Sequence, residues 1–268
     1  MEPISSTDNH HIKLARSLRE GKGRKLHRAF LAEGLRLVEA AADAATPQLV
    51  LHTPEFEASG DRARALLRRL DRTGVLVRPV TERVFSHVAD TQTPQGIAAV
   101  VPLLEREHPR RLTARLDLIL DRVGDPGNAG TLLRTAAAAG VGRVVAAPGT
   151  VDLYSPKVVR AAAGAHFGLA LAAPRAWDEV GGTLEPGAPV YLADARADRR
   201  YWDVDWTASS SLIVSSEAHG ASDAARRLAT QTIGIPMAGG VESLNAGVAG
   251  SIILYEAARQ RALAGVTQ

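Results

Sequence analysis

The 268-residue sequence contains no cysteine, which excludes disulfide bonds and metal sites with thiolate ligands. Its eight histidines show no HxxxH or HxH spacing, so the sequence also disfavours a metal enzyme. No apolar run reaches the length of about 18 residues that suggests a transmembrane helix. The N-terminus, MEPISSTDNHH, lacks the basic and then apolar pattern of a signal peptide. We therefore expect a soluble, cytoplasmic protein with no metal.

The composition is that of a globular chain. Apolar residues make up 46% of the sequence, and the length suits one large or two ordinary domains with a sizeable core. The net charge of +3 is modest, but arginine is distributed unevenly along the chain. This distribution points to a polyanionic partner.

The basic charge is concentrated near the N-terminus. Residues 9–20 predict a short helix on which Arg16 and Arg19 share a face, so their charges repel unless an anion neutralises them. The following GKGRK predicts a flexible basic loop of the kind that follows a phosphate backbone. The alternative is a solvated surface. The predicted nucleic-acid contacts are Arg16, Arg19, Lys22, Arg24, Lys25 and Arg28.

Strand and helix signals then alternate up to residue 101. The predicted strands are 29–33, 48–52, 75–80 and 96–101, and the predicted helices are 34–44, 61–72 and 81–88. This pattern predicts a small α/β domain over residues 1–105. The irregular, charged segment that follows predicts a linker at 106–115, and the residues after it, 116–268, are predicted to form a second domain.

The second domain begins with a buried strand, LDLILD, and the pattern strand, glycine-rich loop, helix and strand predicts a parallel βαβ unit. The loop has neither the Gly-Lys-Ser/Thr of a nucleotide-triphosphate loop nor a dinucleotide fingerprint. Asn128 is predicted to cap the helix. Arg134 lies on an otherwise apolar helix, where burial without an anionic partner is costly. Either a structural salt bridge or the binding of phosphate or substrate would explain it.

Later strands are predicted at 189–193, 211–214 and 232–235. The second of these ends in SSEAHG, and small residues at the carboxyl end of a parallel strand line the usual ligand crevice. Glu217 is either a helix cap or a site carboxylate, whereas His219 is more typical of a solvated loop. The third strand leads into a Gly- and Pro-rich loop and then into a helix from Asn245, its predicted cap, to Leu263.

Three of these segments together resemble a known family. Asn128-x-Gly130-x-x-x-Arg134, Ser-Glu-x-x-Gly at 216–220, and Ile235-Pro236-Met237 with Ser243-Leu244-Asn245 resemble the three motifs of the SpoU/TrmH family. Its members are S-adenosylmethionine-dependent RNA ribose 2′-O-methyltransferases of the SPOUT class. The resemblance covers 116 to about 263, and residues 30–34 and 93–96 fit the family's small RNA-binding domain.

The resemblance implies an α/β fold in two parts. An N-terminal domain similar to a small ribosomal protein would bind RNA, and a parallel-sheet SPOUT domain would contain a deep trefoil knot. It also implies a homodimer with S-adenosylmethionine in the knot loops, and Arg134 facing the partner's cofactor. The implied catalytic residues are Asn128, Arg134, Glu217, Ser243 and Asn245. The implied cofactor-binding residues are Leu192, Ala193, Ser215, Ser216, Gly220, Ile235, Met237 and Leu244.

The sequence departs from the family pattern at several positions. Ser215 replaces the usual Gly, Ala246-Gly247 replace the usual Val-Ser, and Ala162 replaces a Ser, but no proposed catalytic side chain is lost. Because a guanidinium keeps its proton in proteins, we expect Arg134 to anchor phosphate and stabilise charge rather than act as a base.

The expected substrate is ribosomal RNA, with a role in antibiotic resistance left open because no motif identifies one. The alternatives are transfer RNA, and a non-catalytic RNA-binding or ribosome-assembly protein that keeps the fold.

Overall fold

The computed structural model describes residues 2–104 and 114–266 and divides into two compact units. Unit 1 contains the chain up to Leu104 together with Tyr154–Phe167, a return that the sequence did not indicate, and unit 2 contains the rest. Most of the predicted linker at 106–115 lies outside the described residues, so the domain boundaries stay a prediction. None of the described helices is long and apolar enough to cross a membrane.

The first ten elements lie before Leu104. They are α1 (His10–Ser17), α2 (Gly21–His27), β1 (Ala29–Glu33), α3 (Leu35–Ala44), β2 (Leu49–His52), α4 (Pro54–Ala58), α5 (Asp61–Arg72), β3 (Leu76–Pro79), α6 (Glu82–Val88) and β4 (Ile97–Pro102). The strands form a mixed sheet in the order β1-β4-β2-β3, in which only β2 and β3 are parallel.

The remaining elements follow residue 114. They are β5 (Leu116–Asp121), α7 (Pro126–Ala138), β6 (Arg143–Ala146), α8 (Pro156–Ala161), a 3-10 turn (Ala165–Phe167), β7 (Ala170–Ala172), α9 (Trp177–Thr183), β8 (Val190–Ala193), β9 (Ser210–Ser215), α10 (Asp223–Leu228), β10 (Gln231–Ile233) and α11 (Ala246–Leu263). The six strands pair in parallel in the order β10-β8-β9-β5-β6-β7.

Unit 1 is a three-layer structure because successive strand residues face opposite sides of its sheet. Phe30 and Ala32 of β1 join the core that α3 and α5 cover. Ala29 and Leu31 join the core that α1 and α6 cover. Both faces are therefore apolar, which explains why β1 is buried at every position.

The predicted GKGRK loop is wrong, because these residues lie in α2. Arg24 is only 6% exposed, and its Nη1 donates to the carbonyls of Leu18 (2.7 Å) and Arg19 (2.9 Å) at the end of α1. A Cβ at Gly23 would lie 2.0 Å from the Ser17 carbonyl oxygen, so glycine permits this close crossing. A tertiary contact therefore orders a segment that looks flexible in isolation.

Unit 2 has helices on both faces of its parallel sheet. Val180 of α9 and Ala225 of α10 pack against Ile119 and Ile213 on one face. On the other face α11 packs against α7, where a Cβ at Gly250 would lie 2.4 Å from the Leu132 Cδ2 atom. All strands are parallel, so their carboxyl ends share one edge, where the ligand crevice of such a sheet forms.

Most predicted elements are present, and the differences are at ends and in short pieces. The short α4 and β7 were missed, and β10 ends at Ile233 instead of residue 235. Asn245 caps α11 as predicted, since its Oδ1 accepts from the Val248 amide (3.2 Å). The predicted cap at Asn128 is wrong, because Asp125 caps α7 and accepts from the Asn128 amide (2.8 Å).

Arg261 supports unit 2 from inside. It is 2% exposed, and its guanidinium donates to the carbonyls of Trp206, Ala114, Arg115 and Ala208 at 2.8–3.0 Å. Burial lowers the pKa of Arg261, but a guanidinium keeps its charge throughout the physiological range. The side chain thereby joins α11 to the segments that begin β5 and β9.

Replacing Arg261 with Met should reduce the free energy of unfolding by about 3 kcal/mol or more, because each buried carbonyl that loses its donor costs about 1–3 kcal/mol. Arg259→Met is the matched control on the same helix, since Arg259 is exposed and, among the described residues, pairs only with Glu256. Urea unfolding of both variants measures the difference. Equal stability of the two would contradict a supporting role for Arg261.

Candidate active site

A cavity of about 860 Å³, including its open mouth, lies at the carboxyl edge of the unit 2 sheet. Its wall is formed by the ends of β8, β9 and β10, the loop after β10 and the first turns of α11. Of the residues predicted to bind the cofactor or act in catalysis, it is lined by Ala193, Ser215, Ser216, Glu217, Gly220, Ile235, Met237, Ser243 and Leu244. All the residues that line this cavity therefore come from one stretch of the chain, residues 193–253.

Leu192 does not line this cavity. It is 0% exposed and belongs to the hydrophobic core beneath the sheet. Side chains alternate along a strand, so the next residue, Ala193, lines the cavity instead, together with Asp194 just after the strand. The predicted contact of Leu192 with the cofactor stays a prediction, because only its side chain is shown to lie outside the cavity.

A second cavity of about 950 Å³ adjoins the first. It is lined by residues 122–125, 128, 149, 216–219 and 246, so it lies between the loop after β5 and the loop after β9. Ser216, Glu217 and Ala246 line both cavities. Molecules bound in the two cavities would consequently meet at this shared wall.

The shared wall is held by a hydrogen-bond network among three distant segments. The Asn128 Nδ2 atom donates to Glu217 Oε1 (3.0 Å), and the Asn245 Nδ2 atom donates to Asn128 Oδ1 (2.8 Å). The Ala246 amide also donates to Glu217 Oε1, so the carboxylate lies at the positive N-terminus of α11. Three of the predicted catalytic residues therefore form one network.

Glu217 therefore lies in the wall of both cavities and does not cap the next helix. Ser222 caps α10, with its Oγ accepting from the Ala225 amide (3.1 Å). Within the described structure, Glu217 Oε2 accepts no hydrogen bond and is left for a ligand. Ser243, the fourth predicted catalytic residue, lines the first cavity and is exposed.

Arg134 lies apart from this network. It is exposed on α7, forms no hydrogen bond or ion pair with any described residue, and lines neither cavity. The expectation that this arginine needs an anionic partner because it is buried is wrong. The structural salt bridge considered from the sequence is also absent from the described residues of this chain.

The predicted RNA-contacting residues are all in unit 1, and five of the six are exposed. Arg16, Lys22, Lys25 and Arg28 are on the surface, and Arg19 lies 3.6 Å from Asp90. The sixth, Arg24, is buried against the end of α1 as described above, so its guanidinium does not face an external ligand.

A buried carboxylate that lies beside the site was not predicted from the sequence. Asp121 is 0% exposed, and its Oδ2 accepts from the Ser215 Oγ (3.0 Å) and the Ser222 amide (2.7 Å). Ser215, where the family usually has glycine, therefore ties the end of β9 to the end of β5. The only signal was the acid that ends the apolar run LDLILD.

A second acid missed from the sequence lies in the wall of the first cavity. Burial by itself would raise the pKa of Asp194, but hydrogen bonds from Arg196 and Arg226 outweigh burial and lower it. Asp194 is therefore ionised at neutral pH. The wall of this cavity is apolar around Ile235 and Leu244 and charged at Asp194 and its partners Arg196 and Arg226.

Both halves of the chain match known protein families. Residues 115–255 match the model of the SpoU rRNA methylase family, which is more than half of the sequence. The chain belongs to the SpoU family. Residues 9–99 match the MRM3-like substrate binding domain, so the SpoU domain is here joined to a substrate-binding module.

Full-length SpoU relatives resemble the whole chain. A Bacillus subtilis protein named 23S rRNA (guanosine(2553)-2′-O)-methyltransferase is 34% identical over 95% of this chain and 98% of its own. The structure of the SpoU methyltransferase AviRb from Streptomyces viridochromogenes with AdoMet has a TM-score of 0.83 and 29% identity, covering 95% of this chain and 98% of that chain. A structure concerned with 2-OH methylation of C/U34 on tRNA covers only 57% of this chain, with 32% identity, a TM-score of 0.51 and 98% of that chain.

Replacing Ser215 with Ala should lower the free energy of unfolding by about 1–2 kcal/mol, because buried Asp121 loses one of its donors. Ser216→Ala is the matched control, since its hydroxyl has no hydrogen-bond partner among the described residues. Denaturant unfolding of the two purified variants measures the change in the free energy of unfolding. If both are as stable as the unmodified protein, the hydroxyl of Ser215 does not support Asp121.

Proposed function

We propose that this protein transfers a methyl group from S-adenosylmethionine to the 2′-hydroxyl of a ribose in ribosomal RNA. The observation that carries the proposal is the shared wall of the two cavities, where Asn128, Glu217 and Asn245 form one network. A cofactor in the first cavity and a nucleotide in the second would meet at that wall. Membership of the SpoU family supplies the reaction class.

The residues of the first cavity fit the proposed cofactor. Ile235, Leu244 and Val214 give apolar surfaces for a purine ring, and Asp194 gives a charged acceptor for polar groups. When bound, S-adenosylmethionine supplies a methyl group already activated by the positive charge of the sulfonium. The protein is left to align the hydroxyl and to stabilise charge on the oxygen.

Glu217 and its neighbours perform that alignment. Oε1 is held by Asn128 and the Ala246 amide, which leaves Oε2 to accept a hydrogen bond from the ribose hydroxyl. Asn245 fixes Asn128 and caps α11 at once, so the network is rigid without a ligand. The proton of the hydroxyl leaves toward Glu217, water or the RNA phosphate.

Arg134 acts from a partner subunit. It is exposed and has no partner among the described residues, and an unpaired guanidinium in a family motif is best explained by a ligand outside this chain. On α11, Val248 (46% exposed) and Tyr255 (56% exposed) are seven residues apart and therefore share one apolar face. A homodimer through α11 and α7 would cover this face and bring Arg134 to the partner's site as a phosphate anchor.

Unit 1 binds the RNA. Its exposed basic residues Arg16, Lys22, Lys25 and Arg28 lie close together in the sequence, and lysine and arginine bind phosphate backbones irrespective of base. Ribosomal RNA is favoured over transfer RNA because the full-length relative is named for 23S rRNA, whereas the tRNA-related structure covers just over half of the chain. A non-catalytic role is disfavoured because every network residue is present.

Three further expectations belong to the same proposal. The chain of unit 2 is threaded as a trefoil knot, the protein acts in the cytoplasm, and the reaction needs no metal. In the part of the chain that the structure describes, no group of three or more His, Asp or Glu could hold a metal ion.

The proposed function is tested by incubating the purified protein with labelled S-adenosylmethionine and total RNA. Label should enter the large-subunit ribosomal RNA at a single ribose, which then resists alkaline cleavage. Glu217→Ala should retain RNA binding and lose transfer. Failure to bind S-adenosylmethionine in calorimetry would refute the proposal, and label confined to transfer RNA would establish the alternative substrate.

Mixing two inactive variants tests whether Arg134 acts across a dimer. In a mixed dimer of Arg134→Ala and Glu217→Ala subunits, one site combines an intact network with an intact Arg134. Random reassortment of such symmetric dimers should restore about a quarter of the unmodified activity. If Arg134 acts within its own chain, the mixture stays inactive; each variant reassorted alone is the control.

A further inference from the structure

The second cavity contains an arginine that neither the family motifs nor the proposed mechanism uses. Arg122 follows β5 and is the only lysine or arginine among the described residues that line this cavity. Its side chain is 37% exposed, so it is neither buried in the core nor free in solvent. The Asp and Glu residues in the wall of this cavity are Asp125 and Glu217.

The backbone of Arg122 is held in an unfavourable conformation. Its φ of 56° lies in the left-handed region, which residues with a Cβ seldom adopt. Gly149 makes room for the side chain, since a Cβ there would lie 3.0 Å from the Arg122 Cγ. Backbone strain of this kind is concentrated at functional sites, so the conformation of Arg122 points to a role for its side chain in the cavity.

The guanidinium of Arg122 is only partly occupied by the protein. Its Nη2 donates to the carbonyl of Gly220 (3.1 Å) and, at the limit of a hydrogen bond, to that of His219 (3.5 Å). Its Nε lies 3.8 Å from the Asp121 carboxylate. Nη1 forms no hydrogen bond with any residue in the described ranges. One nitrogen therefore braces the loop that carries Glu217, and another remains for a ligand.

We propose that Arg122 binds the phosphate nearest the target ribose while it braces the loop of Glu217. In RNA the 2′-hydroxyl is next to the 3′-phosphate, so a ribose placed at Glu217 brings that phosphate into the second cavity. A cavity with Asp125 and Glu217 in its wall admits a phosphate only with a cation, and a planar guanidinium suits phosphate oxygens. This inference rests on the proposed function, because it concerns the nucleotide whose ribose is methylated.

The structure allows a substitution that removes the side chain and relieves the backbone. Glycine adopts a φ of 56° without strain, so Arg122→Gly keeps the loop conformation. Arg122→Lys keeps the charge and loses the planar fork. Arg227→Gln is the matched loss of one arginine, since Arg227 is exposed in the last turn of α10 and lines neither cavity. Arg122→Asn replaces the glycine variant if that variant does not fold.

Binding to protein-free large-subunit ribosomal RNA should be measured by filter binding over a range of salt concentrations. Arg122→Gly should weaken binding by about tenfold and make the slope of log affinity against log salt shallower by about 0.7, the value for one phosphate contact on a single strand. Arg122→Lys should keep the slope, and Arg227→Gln should match the unmodified protein. Affinity for S-adenosylmethionine, measured by calorimetry, should stay within about twofold in all variants.

Unchanged RNA affinity and salt slope in Arg122→Gly would overturn the proposal, even if methyl transfer fell, because bracing alone would then explain the residue. Methyl transfer by the unmodified protein is measured in the same series. If that protein binds RNA but transfers no methyl group, the proposed function fails, while the comparison of RNA affinities still decides the role of Arg122.

Discussion

The site depends on one carboxylate oxygen. Glu217 Oε1 accepts from Asn128 on α7 and from the amide of Ala246 at the start of α11, so a single atom joins segments about 90 and 30 residues away. The position is electrostatically favourable, because the N-terminus of α11 carries a partial positive charge. Without a ligand, the loop after β9 is therefore already fixed at the boundary of the two cavities. Such preorganisation is what alignment of a hydroxyl with a methyl donor requires.

A second carboxylate lies behind the first and explains a departure from the family pattern. Buried Asp121 accepts from Ser215 and from the Ser222 amide, on either side of the loop that carries Glu217. A glycine at 215 could not donate in this way, so the serine is an additional attachment of the loop. The Cβ at that position is accommodated in the wall of the first cavity, beside the apolar side chains.

Much of the fold could be predicted because hydrophobic periodicity reports burial directly. The alternation of strands and helices, the parallel pairing of β5 with β6 and the cap at Asn245 all follow from local residue patterns. The errors arose where a particular side-chain contact overrides the preference of a short segment. GKGRK forms a helix because Arg24 binds the end of α1, and Asn128 is not a cap because Asp125, three residues earlier, occupies that role.

By itself, the sequence determined the family, the reaction class and most of the residues around the first cavity. These follow from three short motifs, each of which can be found by its own residue types without knowing which motifs lie together in the fold. Only the tertiary structure showed that Asn128, Glu217 and Asn245 form one network, that Asp121 supports the loop, and that Arg122 enters the second cavity. The reason is physical: hydrogen-bond partners across a sheet edge are set by strand order, and strand order leaves no trace in the local pattern of a chain.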